Sequence, residues 1–108
     1  MVLLHDKVAL VTGGSRGIGA SIVRRLSADG AAVAFTYMAS SGSAERMVDE
    51  IEVRGKKAMA TEADSADIGQ VRNAVRFTVE AYGGIDILVN NADVDCSGTI
   101  FEYSLERL

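Results

Sequence analysis

This chain is poor in the features that usually announce a secreted, membrane or nucleic-acid-binding protein. It has one cysteine, Cys96, so no internal disulfide can form. No apolar core with a cleavage-type site precedes the first structured segment, and a cytoplasmic, reducing setting is expected. The longest apolar runs are about five residues, far short of the roughly 20 that span a bilayer. Positive charge is also scarce. Lys plus Arg number 11 against 15 Asp plus Glu, and no basic cluster exceeds Arg24-Arg25 or Lys56-Lys57. A net charge of -4 gives no field to attract a polyphosphate backbone, so neither nucleic acid nor membrane is expected as a partner. Histidine occurs once, as His5 ahead of the first apolar segment, where a solvated residue is expected.

What the chain does have is the composition of one folded domain over residues 1–108, with 48% apolar and 24% charged residues. Four apolar runs, Lys7–Thr12, Ala32–Thr36, Lys57–Thr61 and Ile85–Asn90, alternate with three segments of helical period. The runs are continuous rather than alternating, which means that both faces are covered, as in a parallel sheet of an α/β fold. Helix Gly17–Asp29 carries Ile18, Ile22 and Leu26 and stops at Gly30. Helix Ser41–Arg54 carries Ala44, Met47, Val48 and Ile51 and stops at Gly55. Helix Asp67–Tyr82 carries Ile68, Val71, Val75 and Val79, with Asp67 as N-cap and Gly83-Gly84 as terminator. After Asn91 the texture turns polar, Ser104 reads as the N-cap of a fourth helix, and the sequence stops at Leu108. The expectation is a fold truncated after its fourth strand, whose unpaired edge invites association with a second copy or a complementing C-terminal half.

The first strand runs into "TGGSRGIG", which places Gly13, Gly17 and Gly19 at a strand-to-helix turn. There Gly13 allows the tight turn, Gly17 lets a pyrophosphate approach the backbone, and Gly19 permits close packing of helix on strand. The helix N-terminus adds free N–H groups and a positive dipole end. An NAD site places an acid about 20 residues further on to hold the ribose 2′-OH, yet Phe35 to Ser41 contain none. Arg16 in the loop and the hydroxyls of Tyr37, Ser40 and Ser41 suit a 2′-phosphate, which favours NADP(H) over NAD(H). The competing reading of Arg16 is a solvated charge.

The pieces "KVALVTGGSRGIG", Asp64 in "EADSAD" and "GGIDILVNNA" together resemble the short-chain dehydrogenase/reductase family, and within it the 3-oxoacyl-(acyl carrier protein) reductase-like group. The resemblance runs from Lys7 to about Glu106. It implies a Rossmann-type parallel sheet of strand order 3-2-1-4 over this N-terminal part, a nicotinamide cofactor, and hydride transfer between NAD(P)(H) and an alcohol or carbonyl. It further implies that Gly13, Ser15, Arg16, Gly17, Ile18 and Gly19 hold the phosphates. Asp64 would accept from the adenine amino group, with the Ser65 backbone beside it. Asn90 and Asn91 would tie the sheet together and line the ribose, with Ala92 next to the ring. Asp64 has a structural competitor, since an acid after a strand also caps a turn. Where the family pattern has glycine after "NNA", this chain has Asp93, which either crowds the cofactor's negative charge or points outward with Asp95 as a solvated acidic loop.

In the family, hydride transfer needs a tyrosine with a lysine four residues on. Four residues after Tyr37, Tyr82 and Tyr103 come Ser41, Asp86 and Arg107, so no catalytic residue is assigned among these 108. A phenol without a nearby cation has a pKa of about 10 and is poorly matched to proton transfer at neutral pH. Cys96 lacks a partner for chemistry or metal, Asp93 and Asp95 lack further ligands, and Met38, Met47 and Met59 suit packing. Two readings follow. The chain is the cofactor-binding half of an oxidoreductase, inactive as these 108 residues alone, or it is a noncatalytic NADP(H)-binding remnant acting through protein contacts.

Overall fold

The computed structural model describes residues 3–14, 17–39 and 41–91. Strands and helices alternate as β1 (Val8–Val11), α1 (Gly17–Ala28), β2 (Ala32–Tyr37), α2 (Ser41–Val53), β3 (Ala58–Glu62), α3 (Ile68–Tyr82) and β4 (Ile87–Val89). The four strands form one parallel sheet in the order β3-β2-β1-β4, the order implied by the resemblance. Val8 to Val11 pair with Ala32 to Phe35 on one side, and Ala9 to Val11 pair with Ile87 to Val89 on the other.

The two faces of the sheet are covered differently. Ala9, Val11, Val33, Phe35 and Ala58 pack with Ala20 and Val23 of α1 and with Ala44, Met47 and Ile51 of α2. Leu10 and Ala34, the alternate residues, meet Val75 of α3, flanked by Met59, Tyr82, Ile85 and Leu88. This alternation explains the unbroken apolar strands: each successive side chain enters a separate hydrophobic layer. Phe35, with no exposed surface, is among the largest fully buried side chains. Among the described helices none is long and apolar enough to cross a membrane.

The helix stops and caps follow the sequence. Gly30, Gly55 and Gly83 all have positive φ. Asp67 caps α3 by accepting from the Gln70 backbone N at 3.2 Å, and the Gly83 N–H returns to the Val79 carbonyl. The buried stripe of α1, however, is rotated from the expected one. Gly19, Ala20, Val23 and Ser27 are buried, Ile22 and Leu26 flank them, and Ile18 is 75% exposed. The start of α1 lies so close to the end of β1 that small residues alone fit between them, which pushes the larger aliphatics aside. On α3, Val71 and Val75 are buried with Ala74 and Thr78, whereas Ile68 and Val79 are exposed. Thr78 tolerates burial because its hydroxyl donates to the Ala74 carbonyl at 2.7 Å.

The start of β4 differs from the expected Ile85. Asp86 holds the first residue of β1 instead: its carboxylate accepts from Val8 N at 2.8 Å, and its own N–H donates to the Val8 carbonyl at 2.8 Å. The expected residues of the polar stretch, Asp93, Asp95, Cys96, Tyr103 and Ser104, lie outside the described residues.

Between α1 and α2, Arg24 Nε donates to Glu50 at 2.9 Å, and Arg24 Nη2 reaches the second carboxylate oxygen at 3.4 Å. The Arg24 hydrogen bond holds the Glu50 carboxyl below the usual carboxylate range, against a smaller opposing effect of desolvation. A lowered folded-state pKa gives stability that is present above the unfolded value and is lost as pH falls through the folded one. Glu50→Gln is therefore expected to cost about 0.2–1 kcal/mol at neutral pH, as for partly exposed ion pairs. Urea denaturation should show this gap closing below pH of about 4; a gap unchanged at low pH would contradict the pairing.

Candidate functional site

At the carboxyl end of β1 the sheet reaches its switch point, because β1 continues through α1 to β2 on one side and pairs with β4 on the other. In open α/β sheets this crevice is where ligands bind. Several sequence-assigned residues meet here. Thr12 donates its backbone N–H to the Val89 carbonyl at 3.0 Å, and its hydroxyl accepts from the backbone N of Asn91 at 3.0 Å. The Asn91 side-chain amide then donates to the Gly13 carbonyl at 3.1 Å.

The other side of Gly13 is held from β2. The Gly13 N–H donates to the Thr36 hydroxyl at 3.0 Å, and the Gly14 N–H donates to the Thr36 carbonyl at 3.0 Å. Thus the backbone of Gly13 is fixed on both sides of its Cα, from two strands that do not touch each other. Its φ of 69° lies in the left-handed region where glycine alone is unstrained. Gly14 has no room for a side chain either, since a Cβ there would lie 2.8 Å from Val23 and against Phe35.

Gly17 and Gly19, two residues apart, do opposite work. Around Gly17, at φ 61°, no atom of the described residues lies within 4 Å of a would-be Cβ, so on their side the backbone is open to an approaching group. At Gly19 a Cβ would land on the Gly13 carbonyl and 2.6 Å from the Asn91 amide nitrogen. One glycine leaves space for a ligand and the other lets α1 seat against the loop. The first turn of α1 holds no acid, so nothing there neutralises its positive end.

Of the remaining assigned residues, Tyr37, Ser41, Asp64, Ser65 and Asn90 lie along the same carboxyl edge. Tyr37 ends β2, half-buried with its ring against the first core layer, and Ser41 opens α2, exposed. Met38, expected as packing, is 62% exposed, as the next residue after that strand end. Asp64 follows β3, and its Oδ1 accepts from the Ala66 backbone N at 2.9 Å, so the turn-capping role is realised with this oxygen. Its backbone N–H donates to Gln70 Oε1 at 2.8 Å, which fixes the turn onto α3. Ser65 is half-buried beside it, and Asn90 is exposed. Ser15, Arg16, Ser40 and Ala92 lie outside the described residues.

Sequence reasoning missed the Thr12 and Thr36 hydroxyls as anchors of the loop. The signal was a threonine at the end of each of two apolar strands, where a buried hydroxyl must find partners. Tyr82, by contrast, lies at the opposite, amino end of the sheet, in a groove of about 460 Å³ lined by His5, Lys7, Lys56 and Lys57 among others. Burial, and secondarily Glu52, push its phenol above the ordinary value, away from what proton transfer at neutral pH requires. Among the described residues no group of three or more His, Cys, Asp or Glu is placed to hold a metal ion.

Residues 7–108 match the family model described as short chain dehydrogenase. An uncharacterized oxidoreductase of Methylorubrum extorquens is 45% identical over 107 residues, which are 99% of this chain and 43% of that protein. A 3-oxoacyl-[acyl-carrier-protein] reductase of Staphylococcus aureus is 43% identical over 88 residues, 82% of this chain and 36% of the relative. Among solved structures, a short chain dehydrogenase from Burkholderia cenocepacia in complex with NADP is 57% identical, with a TM-score of 0.83 over 89% of this chain and 39% of that one. The chain thus spans less than half the length of the relatives it matches.

The two glycines give a direct check of this geometry. Gly19→Ala should lower stability by about 1–3 kcal/mol, because its methyl overpacks the Gly13–Asn91 contact. Gly17→Ala should cost about 1–2 kcal/mol, the strain of its positive φ, and leave that contact intact. Denaturant midpoints should therefore rank Gly19→Ala at or below Gly17→Ala, and amide exchange at Gly13 and Asn91 should accelerate only in the former. Faster exchange in both, or in neither, would contradict the packing described.

Proposed function

The chain belongs to the short-chain dehydrogenase family, and we propose that it is the nicotinamide-cofactor-binding half of an NADP(H)-dependent oxidoreductase that interconverts a carbonyl and an alcohol, in the manner of a 3-oxoacyl reductase. The observation that carries this reading is the Gly13 backbone held between Thr36 and Asn91 at the switch point, followed by Gly17, around which the described residues leave open space. The hydrogen bonds that hold Gly13 stand at the edge where a pyrophosphate would lie, so little conformational entropy would be lost at that residue on binding.

The residues present fit the cofactor. The backbone of Gly13, Ser15, Gly17, Ile18 and Gly19 would hold the phosphates, with the positive end of α1 directed at them. Arg16, Tyr37, Ser40 and Ser41 would take the 2′-phosphate, and the lack of any carboxylate from Phe35 to Ser41 removes the charge that would repel it. Asp64 and Ser65 would meet the adenine, and Asn90, Asn91 and Ala92 the ribose and nicotinamide side. Asn91 reaches its place already engaged by Gly13, so it would position the ribose with a fixed amide. When bound, the cofactor supplies or accepts the hydride; the amides beside it can donate and accept hydrogen bonds without adding charge.

The proton-transfer pair is not among these 108 residues, since none of the three tyrosines has a lysine four residues on. The chain would bind cofactor without turning over substrate. Among the described residues β4 borders the sheet, with Ile87, Leu88 and Val89 all half-buried. This supports further pairing there, with a complementing C-terminal half or a second copy. The reading includes a cytoplasmic location, in keeping with the single cysteine.

A thermal-shift comparison tests the proposal. At ligand about 100-fold above Kd, NADPH should stabilise the chain by about 2.7 kcal/mol, which raises Tm by several degrees. NADH at the same concentration should do less. A shift with neither would contradict cofactor binding, and an equal or larger shift with NADH would contradict the NADP preference. In a separate assay, NADPH oxidation with ketone substrates should not exceed a buffer control; turnover would place a catalytic group within these residues.

A further inference from the structure

We propose that the groove at the amino edge of the sheet is a second binding site, for a compact organic dicarboxylate held by Lys7 at one end and by Lys56 and Lys57 at the other. Its volume of about 460 Å³ falls within the range of about 300–1,000 Å³ usual for small-ligand sites. The sheet itself sets the lysines. Lys7 stands immediately before β1 and Lys57 immediately before β3, on either side of β2. The Lys7 carbonyl accepts from Ala32 N at 2.9 Å, and the Lys57 carbonyl accepts from Val33 N at 3.1 Å, so both backbones are tied to the start of β2. Two strand spacings, about 10 Å, separate them. Between them lie Ala31 and Ala32, whose short side chains leave a notch.

Charge and shape then select the ligand. The lining carries three lysines against one acid, Asp6, in a chain of net charge -4. None of the three is within ion-pair distance of a carboxylate among the described residues, and Asp6 lies beside His5 at 3.4 Å. Asp29, next to Gly30 of the lining, is taken by Arg25. Flexible stems let the ammonium groups lean over the notch from both sides. The rest of the surface is uncharged: Ala31, Ala32 and Ala81, with Tyr82, whose phenol is kept protonated by burial and then by Glu52. Positive charge at two ends of an apolar floor suits negative charge at two ends of a short carbon chain. The single ammonium at the Lys7 end matches a singly charged carboxylate rather than a doubly charged phosphate. At the rim, exposed Gly55 ends α2 at φ 78°, and no atom of the described residues lies within 4 Å of a would-be Cβ there. The glycine that stops α2 therefore also keeps the entrance clear.

The test is a ¹⁵N–¹H NMR titration of the whole chain, at matched ionic strength, with adipate and two controls. Hexanoate lacks the second carboxylate, and sulfate is a dianion too compact to span the notch. Adipate should move the amides of Lys7, Ala32, Lys56 and Lys57 saturably, and bind about 5-fold more tightly than either control, as for one additional exposed ion pair. Lys7→Gln and Lys57→Gln, both at exposed positions, should each lower adipate affinity to the level of hexanoate. Arg24→Gln, which removes a cation elsewhere, should leave it within about twofold. Saturating NADPH should not displace adipate. Equal affinity for adipate and hexanoate, or for adipate and sulfate, would overturn the two-ended site. So would an equal loss in Arg24→Gln, shifts spread over lysines and arginines at large, or no saturable shift with adipate. Displacement of adipate by NADPH would overturn its independence of the cofactor.

Discussion

The backbone N–H and carbonyl of Gly13, which belong to the two successive peptide units flanking its Cα, are fixed by side chains far away in sequence: the N–H by Thr36 on β2 and the carbonyl by Asn91 after β4. Each bond contributes only about 1 kcal/mol net. Their importance lies in position, because the crevice between diverging crossovers would otherwise open onto unpaired backbone. The Thr12 hydroxyl completes the arrangement by receiving the Asn91 N–H. Three strand ends are thereby joined at one point, and the helix that follows inherits a fixed origin.

The packing beneath has the same logic. Phe35 and Val23 back the Gly14 peptide so closely that no side chain fits there. Gly19 and Ala20 bring α1 against the loop, and Val23 continues the contact into the core shared with α2. The hydrophobic layers thus set where the first N–H groups of α1 stand. At the far end of the sheet Asp86 fixes the start of β1 against β4, so the strand that bears the loop is anchored at both ends.

Much of this was legible in the residues. Continuous apolar runs gave the parallel sheet, and glycines with Asp67 marked the helix ends, because those signals depend on local backbone geometry. The glycine loop and "NNA" led to the family and to the strand order. Less legible were features that depend on which side of a helix meets the sheet. Ile18, Ile22 and Leu26 have helical spacing, yet the close approach at Gly19 turns the contact to Val23. Asp86 and Thr36 act through partners that only folding brings near, and no spacing in sequence reveals them. Asp64 shows a third case, in which two readings coexist: one carboxylate oxygen caps the turn, on the edge that the resemblance assigns to adenine.

The reading to test is that the carboxyl edge around Gly13 and the start of α1 receives the cofactor, and that the lysine-lined groove at the amino edge does not. The most direct measurement is a ¹⁵N–¹H NMR titration of the chain with NADPH. Amide shifts concentrated at Gly13, Gly17, Ile18, Gly19, Asn90 and the Asn91 side chain, with Lys56, Lys57 and Tyr82 unmoved, are the predicted result. Shifts confined to Lys7, Lys56, Lys57 and Tyr82 would contradict it.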